Sequence, residues 1–157
     1  MRTNEMMSDQ LAIMDAINPV SQGVGTVTTG WVSAANFERF LATIITGVLG
    51  AAATVDAKLQ QAKDVGGTGA KDVTSKAITQ IVKASGDNKT AMINLRADEL
   101  DVANGFCFVR ASLTVGAAAS LVGVLLQAGV DRYAPAVDAA ANPAINLGSA
   151  NMVQIVP

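Results

Sequence analysis

The sequence predicts an all-β protein built as an antiparallel β-sandwich or barrel, and three observations predict it. Several short segments alternate apolar and polar residues with a period of two, as strands with one buried face do. Gly- and Asn-rich turn clusters separate those segments at short intervals. The longest apolar stretches are rich in Thr, Ile, Val and Gly, which are poor helix formers.

The elements follow in chain order. Residues 1–26 read as an N-terminal arm. Within it Leu11, Ile13, Met14 and Ile17 form an apolar group ending at Asn18-Pro19, and Ser8 is placed to cap a short helix. A helix of that length has little stability alone, so it needs a surface to dock on. Residues 23–30 are β-prone and punctuated by Gly, which suits a linker into the first strand. Residues 39–48 and 120–127 are almost continuously apolar and read as central strands, or strands covered on both faces. An Ala-rich helix over residues 34–64 is the competing reading; Thr43, Ile44, Ile45, Thr46, Gly47 and Gly50 weigh against it.

Residues 54–60 alternate cleanly, with Val55, Ala57 and Leu59 inward and Asp56, Lys58 and Gln60 outward. Ala91, Ile93 and Leu95 repeat the pattern against Asn94 and Arg96. Cys107, Val109, Ala111, Leu113 and Val115 repeat it against Arg110, Ser112 and Thr114. Residues 76–83 suit a further strand. Turns are expected at residues 64–71, 85–88, Asn104-Gly105 and 116–119. The sandwich is therefore placed over residues 27–135, with a second arm over residues 136–157. That tail is broken by Asn142-Pro143 and supplies Ile145, Leu147, Val153 and Ile155. Left in water these side chains would be sticky, and a neighbouring molecule covering them is the simplest account.

Composition narrows the function. The chain has 157 residues, half of them apolar, with 15% charged and 4% aromatic. Charged residues usually make up about a quarter, so much of this surface is expected to be buried or shared with neighbours. The net charge of -2 and the lack of a basic stripe leave no electrostatic footprint for nucleic acid. With no His, the commonest general base and metal ligand is missing, and neither a Ser-His-Asp nor a Cys-His set can form. The single Cys107 permits no intrachain disulfide; its place in the alternation predicts a buried, inert thiol. Residues 111–130 carry no charge and match a membrane span in length. Their alternation and the turn at 116–119 read instead as a hairpin, so no membrane association is expected. The acidic start, with Glu5 and Asp9, does not resemble a signal peptide.

Candidate chemistry is sparse. Asp98, Glu99 and Asp101 are the densest acidic group, but they lack the ligand spacing of a calcium loop and read as a solvated loop. Gly66–Lys71 lacks the spacing of a phosphate-binding loop. Trp31, Phe37, Phe40, Phe106 and Phe108 read as core or interface. Arg132 and Tyr133 belong to residue types enriched in subunit contacts. The expectation is no enzyme, no catalytic residue, no cofactor and no metal.

The order of three motifs carries a resemblance. Thr54-Val55-Asp56-Ala57-Lys58-Leu59-Gln60-Gln61-Ala62 leads into a turn with Gly67-Thr68. Phe108-Val109-Arg110 and Leu113-Thr114-Val115-Gly116 follow, then Arg132-Tyr133-Ala134-Pro135. This resembles small virion proteins of tailed phages, over about residues 42–136. The resemblance implies a jelly-roll-like antiparallel β-sandwich; the extended N- and C-terminal arms lie outside it and rest on the residues read above. It implies a cement or decoration subunit on the capsid surface, made in the host bacterial cytoplasm. Its implied partners are the major capsid protein and copies of itself, as a dimer or trimer. Leu11, Ile13, Met14, Ile17, Arg132, Tyr133, Ile145, Leu147, Val153 and Ile155 are the expected intersubunit contacts. A head-vertex, fibre-base or minor tail protein is the alternative within the same class. A carbohydrate-binding β-sandwich is the alternative outside it, and it needs exposed aromatics on a concave face.

Overall fold

The computed structural model describes residues 10–131, which form two packed antiparallel sheets. The strands are β1 (Leu11–Gln22), β2 (Gly25–Thr28), β3 (Val32–Ser33), β4 (Phe37–Thr46), β5 (Thr54–Ala62), β6 (Lys71–Ala77), β7 (Ile81–Val82), β8 (Thr90–Arg96), β9 (Phe108–Gly116) and β10 (Ser120–Asp131). Sheet A has the order β1-β10-β4-β8. Sheet B has the order β2-β9-β5-β6, with β3 added to β9 and β7 to β5. Leaving aside the two short strands, first pairs with last, β2 with β9, β4 with β8, and β5 with β6. The chain is thus one long hairpin whose paired segments are laid alternately into the two sheets. This nesting is the jelly roll, and it settles the choice between sandwich and barrel.

The core explains the low aromatic content. Inward positions alternate small and large along each strand: Ala42 then Ile44, Ala57 then Leu59, Ala111 then Leu113, Leu126 then Ala128, all buried. Small residues on one strand leave room for large ones from the facing sheet, so the layer can close without big rings. Phe37 and Phe40 close one end of the core, edge to face at 6.4 Å. At the other end the β4–β5 loop lies on the β9–β10 turn. A Cβ on Gly50 would sit 2.4 Å from the carbonyl oxygen of Ala119, so only glycine allows that approach.

Four expectations need correction. Residues 11–22 are not an arm or a helix but β1, the edge strand of sheet A, so the sandwich begins at Leu11 rather than residue 27. Its period is hidden because the register slips twice, between Ile13 and Asp15 and between Ile17 and Val20, and each slip turns the following side chains over. Residues 111–130 do contain two strands joined by a turn at 116–119, but they do not pair as a hairpin. β9 lies in sheet B and β10 in sheet A. The expected strand at 76–83 straddles β6, β7 and the helical turn Lys83–Gly86. Cys107 precedes β9 and is half-exposed, with its Sγ 3.6 Å from the Lys63 carbonyl oxygen. The second arm, residues 136–157, lies outside the described residues. No helix among the described residues is long and apolar enough to cross a membrane.

Candidate functional site

The two sheets turn very different faces to the outside. On sheet A the register sets out the outward rows: Ile13, Gln127, Leu41 and Asn94; then Ala16, Leu125, Thr43 and Met92; then Gly123, Ile45 and Thr90; then Ser21 and Leu121. None of these residues is charged. Ile45 is 50% exposed, Leu121 44% and Met92 63%, and Val20 and Val48 beside them are exposed as well. Only the last row, Leu11, Gly129, Arg39 and Arg96, brings charge to this face. The continuous apolar runs at residues 39–48 and 120–127 thus mark central strands, as expected. Within the chain, however, the described residues cover one side of them only.

Sheet B faces outward with a bonded polar ladder. The Arg110 guanidinium stacks over Trp31 at 4.3 Å and its Nε donates to Gln60 Oε1 at 2.9 Å. Gln60 Nε2 donates to Asp72 Oδ1 at 2.8 Å, and Lys58 Nζ pairs with Asp72 Oδ2 at 2.7 Å. The Lys58 ammonium and then the Gln60 amide hold the Asp72 carboxyl below its ordinary value. Further along, Gln80 Nε2 donates to Asp56 Oδ2, and the hydroxyls of Thr26 and Thr114 bond across the β2–β9 pair. The Trp31 ring is not an open platform: Arg110 covers it, and Gly67 packs so closely that a Cβ there would lie 2.6 Å from Nε1.

The acidic cluster is divided among cations. Asp98 pairs with Arg96 at 3.2 Å, Glu99 with Lys76 at 2.8 Å and Asp101 with Lys71 at 2.5 Å. Glu99 Oε2 also accepts the Arg96 backbone N–H at 2.8 Å. These bonds, with the lysine contacts foremost, hold Glu99 and Asp101 below their ordinary values. Among the described residues no group of three potential ligands is arranged to hold a metal ion. Glu99 and Asp101 serve instead to tie the β8–β9 loop to β6, and Asp98 pairs with the end of β8. Lys71 also lies 4.1 Å from the Phe106 ring, so the same side chain joins both contacts.

The expected contact residues fare unevenly. Ile17 is buried in the core, and Met14 is half-buried and packs against that core. The register slip between Ile13 and Asp15 turns Ile17 inward. Leu11 and Ile13 are half-buried on the outward face of sheet A. Arg132, Tyr133, Ile145, Leu147, Val153 and Ile155 lie outside the described residues. What residue-by-residue reading missed is the face itself: Leu41, Ile45, Met92, Leu121 and Leu125 come from three strands. The signal was present as charge-free runs, but only the pairing assembles them.

The chain matches no protein-family model and no curated protein. Solved structures similar to it include a CBM4 protein, at 12% identity and TM-score 0.41, covering 66% of this chain and 61% of that one. The VP2 subviral particle of infectious bursal disease virus is similar at 12% identity and TM-score 0.42, over 76% of this chain and 32% of the other. The empty particles of cowpea mosaic virus are similar at 11% identity and TM-score 0.38, over 87% and 92%. The chain therefore spans less than two thirds of the first two. At these identities and overlaps the likeness reaches no further than sheet-on-sheet architecture.

Proposed function

We propose that this chain is a structural subunit of a tailed-phage particle: a cement or decoration protein, without enzymatic activity, that binds and stabilises the shell of the major capsid protein. The observation that carries the reading is the charge-free outward face of sheet A. A monomer rarely leaves so many large apolar side chains together in water. Burial against a partner at about 25 cal/mol per Å2 gives each copy a substantial contact, and repetition over a symmetric shell multiplies it. Sheet B, with its polar side chains already bonded to one another, supplies the solvent side. The apolar stretch at residues 145–156 adds a second adhesive segment. The sequence resemblance to small phage virion proteins points the same way.

Binding to capsid shells tests this directly. Full-length protein is expected to co-sediment with shells of the major capsid protein in many copies per particle. Ile45→Lys and Leu121→Lys, both at exposed positions, are expected to weaken that binding at least tenfold without unfolding the domain. Undiminished binding of both variants would remove the sheet A face from the reading, and failure of the wild type to bind would end the reading itself.

A further inference from the structure

The four sheet edges differ in how well they are protected. β1 carries two register slips and Pro19, both of which discourage strand addition. β2 is only four residues long. β6 carries Lys71, Asp72 and Lys76 and an irregular register with β5. β8 has none of these devices: residues 90–95 contain no charge, no proline and no bulge, and their register with β4 is unbroken. Among the described residues β8 pairs only with β4.

The register also says which backbone groups are open. Thr46 N–H donates to the Lys89 carbonyl at 2.9 Å. Antiparallel pairs alternate between bonded and non-bonded, so Ala91, Ile93 and Leu95 bond to β4. Thr90, Met92, Asn94 and Arg96 point their N–H and C=O groups away from it. The Arg96 N–H is already taken by Glu99 at 2.8 Å. The open stretch is therefore residues 90–94, and its middle is Met92.

We propose that this edge pairs with β8 of a second copy, antiparallel about a two-fold axis at Met92. Thr90 then faces Asn94 of the other copy, and each Met92 faces the other. Each facing pair exchanges two backbone bonds. The stretch is self-complementary because it is uncharged and its groups with open bonds fall opposite one another. The pairing joins two copies of sheet A into one continuous sheet, and their apolar outward faces become one. A two-fold contact of this kind closes on itself, so it gives a dimer rather than a filament. It does not depend on the capsid-binding reading.

Sedimentation of the full chain over a wide dilution series tests the dimer, and a cysteine substitution tests the register. In a Cys107→Ser background, Met92→Cys is expected to form a disulfide-linked dimer on mild oxidation. Facing bonded residues stand about 5.5 Å apart at Cα, within disulfide reach. Thr90→Cys alone is expected not to cross-link, whereas a mixture of Thr90→Cys and Asn94→Cys chains is. Met92→Pro removes an outward N–H without touching the β4 ladder, and it is expected to raise the dimer dissociation constant at least tenfold. Should that variant misfold, Met92→Lys with Asn94→Lys places like charges across the contact instead, and added salt is expected to restore part of its dimer. A wild-type chain that stays monomeric or sediments as a trimer overturns the proposal. So does a dimer in which Met92→Cys fails to cross-link, or one that forms only after truncation at Pro135, which would show the chain's own tail on the edge.

Discussion

Sheets A and B share one core yet present opposite outer faces. On sheet B the outward side chains satisfy one another: Arg110 on Trp31 and Gln60, Gln60 and Lys58 on Asp72. On sheet A the outward rows from Ile13 to Leu121 carry no charge, and large apolar side chains stand among a few uncharged polar ones. The same strand chemistry thus produces one face with bonded charges and one without charge. An inner layer is required for folding, so only the outer layers are free to differ in this way. Their difference is where the function is read.

The largest effect on this comparison comes from the layer both sheets share. Leu113→Ala removes a fully buried side chain facing the sheet A residues; a loss of about 2–5 kcal/mol is expected in denaturant unfolding. A smaller, one-sided effect is expected outside. Ile45→Lys on sheet A is predicted to change folding stability by no more than about 0.5 kcal/mol, as most surface substitutions do, while weakening partner binding tenfold, which is about 1.4 kcal/mol. The mirror experiment on sheet B is Arg110→Ala. It loses the stacking over Trp31, about 0.5–1 kcal/mol in stability, and leaves partner binding unchanged. If Arg110→Ala weakens binding and Ile45→Lys does not, the roles of the faces are reversed. Lys58→Ala is expected to cost about 0.2–1 kcal/mol at low salt and less as salt is added, because both partners of that ion pair are largely exposed.

Acid gives the gentlest probe. Asp64, Asp72, Asp87, Glu99 and Asp101 are all held below their ordinary values, 3.8 for Asp and 4.5 for Glu. The dominant cause is the Thr68 hydroxyl for Asp64, and the Lys58, Lys83, Lys76 and Lys71 ammonium groups for the others. Between the lowered and the ordinary value the unfolded chain binds more protons than the folded one. The stabilisation is therefore complete above the ordinary values and is lost as pH falls through the lowered ones. A flat unfolding midpoint from neutral pH down to the ordinary carboxylate range, then a decline, is expected in a pH series. None of these groups lies on the outward rows of sheet A. Hydrogen exchange is expected to rise first in the loops and in β6, with the β10–β4 pairing the last to open.

Much of the fold was legible from the residues. Val55, Ala57 and Leu59 are buried, as the period of two indicates, and Ile93, Leu95, Val109, Leu113 and Val115 repeat the success. Gly105 takes a left-handed φ of 82° in the turn its Asn-Gly sequence announces. What was hidden depends on pairing. Bulges in β1 scramble the alternation on which a strand is recognised. β9 and β10 are adjacent in sequence and joined by four residues' worth of turn signal, yet the nested topology sends them to different sheets. Cys107 sits one residue before its strand begins, where alternation no longer fixes a side. The charge-free outward face likewise comes from β10, β4 and β8 together, and single strands reveal only that they are apolar.

The nesting of β1 against β10 has a consequence for biosynthesis. Leu11 lies opposite Gly129, so among the described residues the earliest strand to leave the ribosome finds its partner only when the last one arrives. Sheet A is completed by contacts of the longest sequence separation in the domain, and such closures are slow. Until then β1 and the inner faces of β4 and β8 have no complete sheet to join. The nascent chain must pass through most of its length without a finished core, so the domain closes only after β10 has been made.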